Sequence, residues 1–105
     1  MYIVQMLLPL QGQDGERLPQ ELFDAVRAEL VARFGGLTAY SRSPARGLWV
    51  DEEQPGAPVE RDDVVVYEVL VEALDRGWWS GFRADLCGRL RQKELLVRAH
   101  AVELL

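Results

Sequence analysis

One carboxylate and one histidine are the side chains of this sequence best suited to proton transfer. Glu68 interrupts an otherwise apolar run of valines, and a carboxylate in such a setting either holds its proton or is paired with a donor. His100 is the only histidine. We consider Glu68 or His100 as a proton acceptor, and the residue types alone do not choose between them.

Polar side chains on neighbouring predicted strands would complete such a site. Arg42 or Arg98 would anchor an anionic or enolate oxygen, and Tyr40 would donate a hydrogen bond. Gln5 lies on the same predicted face. The structural alternative is that Glu68 forms an ion pair with Arg42 or Arg98 inside a protein interface, and both interpretations stay open.

Two tryptophans are further candidates for binding. Trp49 lies near the bent end of a predicted strand, where a hairpin would fold over the open face of the sheet. Trp78 precedes Trp79 in a predicted helix, and adjacent helical positions point about 100° apart, so Trp78 lies at the flank of that helix. Packing is the alternative for both, because aromatic rings contribute most often to cores and interfaces.

The sequence has no motif of a metal-dependent or nucleotide-dependent enzyme. Cys87 is the only cysteine, which excludes an internal disulfide and a cysteine-rich metal site. The acidic residues between positions 51 and 63 match no calcium loop. We expect no metal and no cofactor, although haem ligation requires only one histidine and His100 keeps that alternative open.

Composition limits the class of protein. The chain has 105 residues of which 49% are hydrophobic, enough for one domain that spans residues 1–105. Its net charge of −5 argues against nucleic acid as a partner. The apolar N-terminus has no basic leader, and no apolar run reaches the roughly 18 residues of a membrane helix. We therefore expect a cytoplasmic protein that does not contact a membrane.

Hydrophobic periodicity predicts four strands and two helices. The expected elements are strand one at Tyr2–Leu8, helix one at Pro19–Phe34, strand two at Leu37–Arg42 resuming over 48–50, strand three at Val64–Ala73, helix two from Asp75 to about Arg91, and strand four at Leu95–Leu105. This order predicts an α+β, ferredoxin-like βαββαβ sandwich. Both helices cover one face of a four-stranded antiparallel sheet whose central strands are one and three.

This pattern resembles the dimeric α+β barrel group, whose members pair two such sheets face to face. The group includes cofactor-free monooxygenases and haem-degrading enzymes. The resemblance covers the whole chain but is one of topology, so it implies a fold and a mode of pairing and assigns no catalytic residue.

Alternation along the strands divides the side chains between the two faces of the sheet. The helix-covered face is expected to hold Val4, Met6, Val65, Tyr67, Val69, Val71, Val97 and Ala99. The opposite face, called the open face below, is too apolar to remain in water, since Ile3, Leu7, Val64, Val66 and Leu70 form a contiguous patch.

A second copy of the chain is the expected cover, which makes the protein a homodimer through the open face. Two functions follow from these expectations. The first is a binding or interaction module. The alternative is a cofactor-independent enzyme, isomerase-like or monooxygenase-like, that acts on a small organic molecule.

Overall fold

A computed structural model describes residues 1–40, 45–49 and 60–105, with residues 45–49 and 60–63 described by their backbone alone. Arg42, a predicted site residue, and residues 51–58, at the tip of the predicted hairpin, lie outside the described residues. The elements in chain order are β1 (Tyr2–Pro9), α1 (Gln20–Phe34), β2 (Thr38–Ala39), β3 (Ala45–Trp49), β4 (Glu60–Val71), α2 (Arg76–Arg89) and β5 (Leu96–Ala101).

The sheet has the predicted antiparallel topology. Its strand order is β2-β4-β1-β5, so the two valine-rich and leucine-rich strands β4 and β1 are central, as expected. Two strands, β2 and β3, take the place of the predicted second strand. Both pair with β4 in antiparallel register. β5 ends at Ala101 and does not reach Leu105.

Helix α1 packs one apolar side against the sheet. Phe23, Val26 and Leu30 are buried at the three- and four-residue spacing of a helical face. Gly35 ends the helix in the left-handed conformation with φ of 80°, and its N–H donates to the carbonyl of Val31 at 2.8 Å. Val31, the residue after Leu30, lies outside this buried side and is 47% exposed.

Helix α2 begins after Asp75, whose carboxylate accepts the N–H of Trp78 at 3.0 Å. The helix buries Trp79 and Leu86 against the sheet, with Leu90 just beyond its end. The described helices of residues 1–40 and 60–105 include none that is long and apolar enough to cross a membrane.

The core lies between the two helices and one face of the sheet. Val4, Met6 and Leu8 of β1 are buried there, and so are Val65, Tyr67, Val69 and Val71 of β4. The edge strand β5 departs from the expected pattern, since Val97 is only half-buried and Ala99 is exposed. Ala99 pairs with Val4 and so lies on the helix-covered side, but α2 leaves a hollow over it.

Candidate functional site

Three polar side chains lie in register across the open face, and a fourth, Tyr40, lies diagonally beside Glu68. Gln5 on β1 is in register with Glu68 on β4 and with Arg98 on β5. Tyr40 follows β2, and its N–H donates to the carbonyl of Val66 at 2.9 Å, which extends the pairing with β4. Tyr40, Glu68, Gln5 and Arg98 are called the polar row below.

The polar row is connected by hydrogen bonds between its own side chains. Arg98 Nε donates to Gln5 Oε1 at 2.8 Å. The Gln5 amide nitrogen donates in turn to the Glu68 carboxylate. Tyr40 Oη donates to the second carboxylate oxygen of Glu68 at 3.3 Å. An amide between a guanidinium and a carboxylate is satisfied on both sides, because it accepts from one and donates to the other.

Apolar side chains border the polar row along the strands. Their registers place Ile3 opposite Leu70 on one side of the row, and Leu7 opposite both Val66 and Leu96 on the other. Leu70 is 43% exposed and Leu96 is 51% exposed. The open face is therefore a hydrogen-bonded polar line within an apolar surface.

The predicted site residues are only partly brought together. Gln5, Tyr40, Glu68 and Arg98 share the polar row. His100 is exposed and lies opposite Ile3, two residues after Arg98 along β5. Among the described residues, no hydrogen bond joins His100 to the polar row. Arg42 lies outside the described residues.

Trp49 is described only by its backbone. It ends β3 in register with Glu60, which places it at the far end of the long β3–β4 pairing from the polar row. A binding role for Trp49 stays a prediction.

Trp78 packs within an aromatic cluster at the junction of the two helices. Its ring stacks on Phe82 with centroids 4.9 Å apart and meets Phe34 edge-on at 5.3 Å. The guanidinium of Arg33 lies 4.2 Å from the Trp78 ring centroid. Trp79 stacks on Phe34 at 5.2 Å. Through these contacts Trp78 packs the end of α1 against the start of α2.

Hollows that adjoin the sheet in the described part of the chain include one that Glu68 lines and one that Arg98 borders. A hollow of about 310 Å³ beside the end of α1 is lined by Phe34, Thr38, Glu68 and Leu70 among others. A second, of about 360 Å³, lies between α2 and β5 and is bordered by Arg98. His100 lines neither hollow.

The hollow between α2 and β5 contains residues that the sequence reasoning missed. Arg76, Ser80 and Arg83 line it from α2, and Trp79 and Ala99 form part of its wall. Their signal is present in the sequence, since positions 76, 80 and 83 lie on one side of a helix. The sequence-based prediction considered only the apolar side of that helix, which includes Trp79 and Leu86.

The pKa values of Tyr67 and Asp24 are shifted from their ordinary values. Burial raises the pKa of Tyr67, whose hydroxyl donates to the carbonyl of Phe23 at 3.5 Å in the core. A hydrogen bond from Gln20 lowers the pKa of Asp24 on the exposed surface of α1. These shifts follow from packing and helix-surface pairing. Among the side chains that the structure describes, in residues 1–40 and 64–105, no cluster of three or more His, Cys, Asp or Glu residues is arranged to hold a metal ion.

Comparison with known proteins supports the fold. Models of known protein families give no match, and neither do curated protein sequences. Among solved structures, a variant of CutA1 from Pyrococcus horikoshii OT3 is similar at 13% identity with a TM-score of 0.59, over 100% of this chain and 86% of the other. A phage SAM lyase in complex with S-methyl-5'-thioadenosine is similar at 16% identity with a TM-score of 0.56, over 94% and 79%.

At these identities the likeness concerns the fold alone. Both neighbours match nearly the whole chain, so the similarity includes the sheet and both helices. The α+β, ferredoxin-like sandwich expected from the order of elements is thus confirmed. The narrower resemblance to the dimeric α+β barrel group stays a prediction.

Proposed function

We propose that this chain is an interaction protein that associates with a second copy of itself through the open face of its sheet. The observation that carries the proposal is the polar row, whose side chains bond to one another within an apolar surface. We also propose a reducing cytoplasm as the location, because Cys87 is the only cysteine in the sequence and an internal disulfide cannot form.

Exposure of large apolar side chains supports this choice of surface. Among the described side chains of residues 1–40 and 64–105, the exposed large hydrophobic residues include Met1, Leu104 and Leu105 near the two ends and Val31 on α1. The others, Tyr40, Leu70 and Leu96, all lie on the open face. Apolar area concentrated on one flat surface is typical of a protein interface.

The internal bonds of the polar row reduce the cost of covering it. A buried polar group without a partner costs about 1–3 kcal/mol, and a buried charge costs more. Gln5 supplies partners to both Arg98 and Glu68, and Tyr40 supplies a second donor to Glu68. The row therefore enters an interface with much of its hydrogen bonding already satisfied.

The charges of the polar row are complementary to those of an inverted copy. Arg98 on β5 and Glu68 on β4 are separated by β1, which places the positive and negative groups about 10 Å apart across the sheet. Two sheets that pack face to face lie about 10 Å apart. A two-fold axis that runs parallel to β1, midway between the two sheets, places Arg98 of each copy over Glu68 of the other, so the surface is self-complementary in that arrangement.

A matched pair of substitutions tests this proposal. Leu70→Glu adds a charge to the open face, and Val31→Glu adds the same charge at a similarly exposed position on α1. The mass of each variant is measured by light scattering at micromolar concentration. Leu70→Glu is expected to reduce the mass to that of one chain, whereas Val31→Glu leaves it at two chains or more. Equal masses for the two variants would contradict the proposal.

The alternative function is a cofactor-independent enzyme with Glu68 as the proton acceptor. Its support is that Glu68 lines the hollow beside the end of α1, together with Thr38 and Leu70. Against it, both carboxylate oxygens of Glu68 already accept hydrogen bonds from Gln5 and Tyr40, so they are engaged within the polar row rather than directed at a substrate. The interaction function is therefore the one we favour.

A further inference from the structure

We propose that the hollow between α2 and β5 binds a small organic anion, with its carboxylate or phosphate at Arg76 and Arg83 and its apolar part against Trp79. This site lies on the helix-covered side of β5, and Arg98 at its border is also part of the polar row. The ligand class is set by the size, the charge and the wall of the hollow.

The size of the hollow suits a small molecule. It is an open hollow of about 360 Å³, within the range of about 300–1,000 Å³ that is usual for small-ligand sites. The edge strand contributes a small residue, Ala99, to its wall. Ala99 is exposed and Val97 half-buried although both point to the helix-covered side.

The side of the hollow formed by α2 is cationic. Arg76, Ser80 and Arg83 are spaced by four and three residues, so they lie along one side of the helix and all line the hollow. Among the residues whose side chains are described, no acidic one lines it. This is a local reversal of charge in a chain whose net charge is −5. Guanidinium groups bind carboxylate and phosphate oxygens with paired hydrogen bonds, and the Ser80 hydroxyl is a further donor.

Arg98 borders the hollow but is not assigned to the anion. Its Nε donates to Gln5 on the open face, at 2.8 Å, which holds that side chain on the other side of the sheet. The anion is therefore assigned to the two arginines of α2. Arg83 is half-buried and Arg76 is exposed, so Arg83 is the deeper contact.

The opposite side of the hollow is apolar. Trp79 is 6% exposed and Val4 is 1% exposed, and both contribute to its wall with Leu74 and Val97. An aromatic or aliphatic ligand body gains from contact with such a wall. A bare inorganic anion gains nothing from it, so the hollow should prefer an organic anion to inorganic phosphate.

The test is titration of the full chain with phenyl phosphate and, separately, with benzoate, followed by amide shifts in nitrogen-15 NMR and by calorimetry. At least one of the two probes is expected to bind saturably, to shift the amides of Ser80 and Ala99, and to bind more tightly than inorganic phosphate. Arg83→Gln is expected to weaken binding about tenfold, Arg76→Gln less, and Ala99→Phe to abolish binding by filling the hollow.

Arg17→Gln is the matched control, because Arg17 is exposed and does not line the hollow. Its affinity for the probe should equal that of the unaltered chain. The proposal is overturned if neither probe gives saturable shifts at ~10 mM. It is also overturned if Arg83→Gln and Ala99→Phe bind as well as the unaltered chain, or if inorganic phosphate binds as tightly as phenyl phosphate. The light-scattering mass of Arg83→Gln should not change, which separates this site from self-association.

Discussion

Gln5 and Glu68 face each other across the two central strands, and the Gln5 amide donates to the Glu68 carboxylate on the face that the helices leave uncovered. The same amide accepts from Arg98, so one neutral side chain joins a cation and an anion across three strands. The charge order of the polar row, positive on β5 and negative on β4, is the feature that makes the open face complementary to an inverted copy.

A charge-reversal cycle tests that complementarity. Glu68→Arg and Arg98→Glu each place like charges opposite one another in the proposed assembly. Each is expected to weaken association at least tenfold, equivalent to about 1.4 kcal/mol. The double substitution restores opposite charges, and Gln5 can still bridge them because an amide both donates and accepts. Its association constant should return to within about threefold of the original.

Association constants for the cycle are measured by sedimentation equilibrium, with thermal unfolding of each variant as the control for folding. A double variant whose loss equals the sum of the single losses would show that Glu68 and Arg98 do not meet across the interface. In that case the hydrogen bonds of the polar row stabilise the sheet of one chain and do not contribute to association.

Gly35 gives a prediction about stability that is independent of assembly. Its φ of 80° lies in the left-handed region, and an added Cβ there would meet no atom within 4 Å, so the cost of Gly35→Ala is conformational. We expect a loss of about 1 kcal/mol in the free energy of unfolding.

Gly36→Ala is the control for that change, since Gly36 also has open space around its Cα but no positive φ. Its free energy of unfolding in urea should match that of the unaltered chain within a few tenths of a kcal/mol. Equal losses at positions 35 and 36 would mean that the left-handed helix end does not carry the effect.

Tyr67 predicts how stability changes in alkali. Burial raises the pKa of its hydroxyl above the ordinary value of 10.0. The unfolded chain therefore ionises first, so the stabilisation from the neutral phenol is complete below pH 10 and is lost as the pH rises through the folded-state pKa. Tyr67→Phe should flatten this alkaline loss, at a cost of about 1 kcal/mol at neutral pH for the hydrogen bond to Phe23.

The measurement is the Tm of both chains from about pH 8 to about pH 12, where linkage to a raised pKa takes effect. Tyr40→Phe is the control, because the Tyr40 side chain is 48% exposed. It should retain the alkaline loss. A Tyr67→Phe variant that loses stability above pH 10 as steeply as the unaltered chain would contradict the role of Tyr67.

Local patterns were sufficient to predict most of the fold. The spacing of Phe23, Val26 and Leu30, the glycine at position 35 and the Asp75 cap each act within a few residues, and the structure has all of them. An interruption of strand two was predicted, but the bounds of β2 and β3 were not. Those bounds depend on pairing with the long strand β4, which is distant in sequence.

Site geometry was less accessible to the sequence because it depends on distant contacts. Alternation placed Gln5, Glu68 and Arg98 on one face, but the choice of Gln5 as the link between the other two is set by register across the sheet. Sequence reasoning paired Glu68 with an arginine and gave Gln5 no role in that pairing. The hollow over Ala99 was missed because alternation assigns a face and does not tell how far a helix extends over it.

The most direct test of self-association is the mass of the unaltered chain by light scattering during serial dilution from about 100 µM to about 1 µM. An interface of standard size predicts a mass of two chains or more that persists into the micromolar range. The same experiment on Leu70→Glu should then give one chain. A strict monomer for the unaltered chain throughout this range would contradict the account.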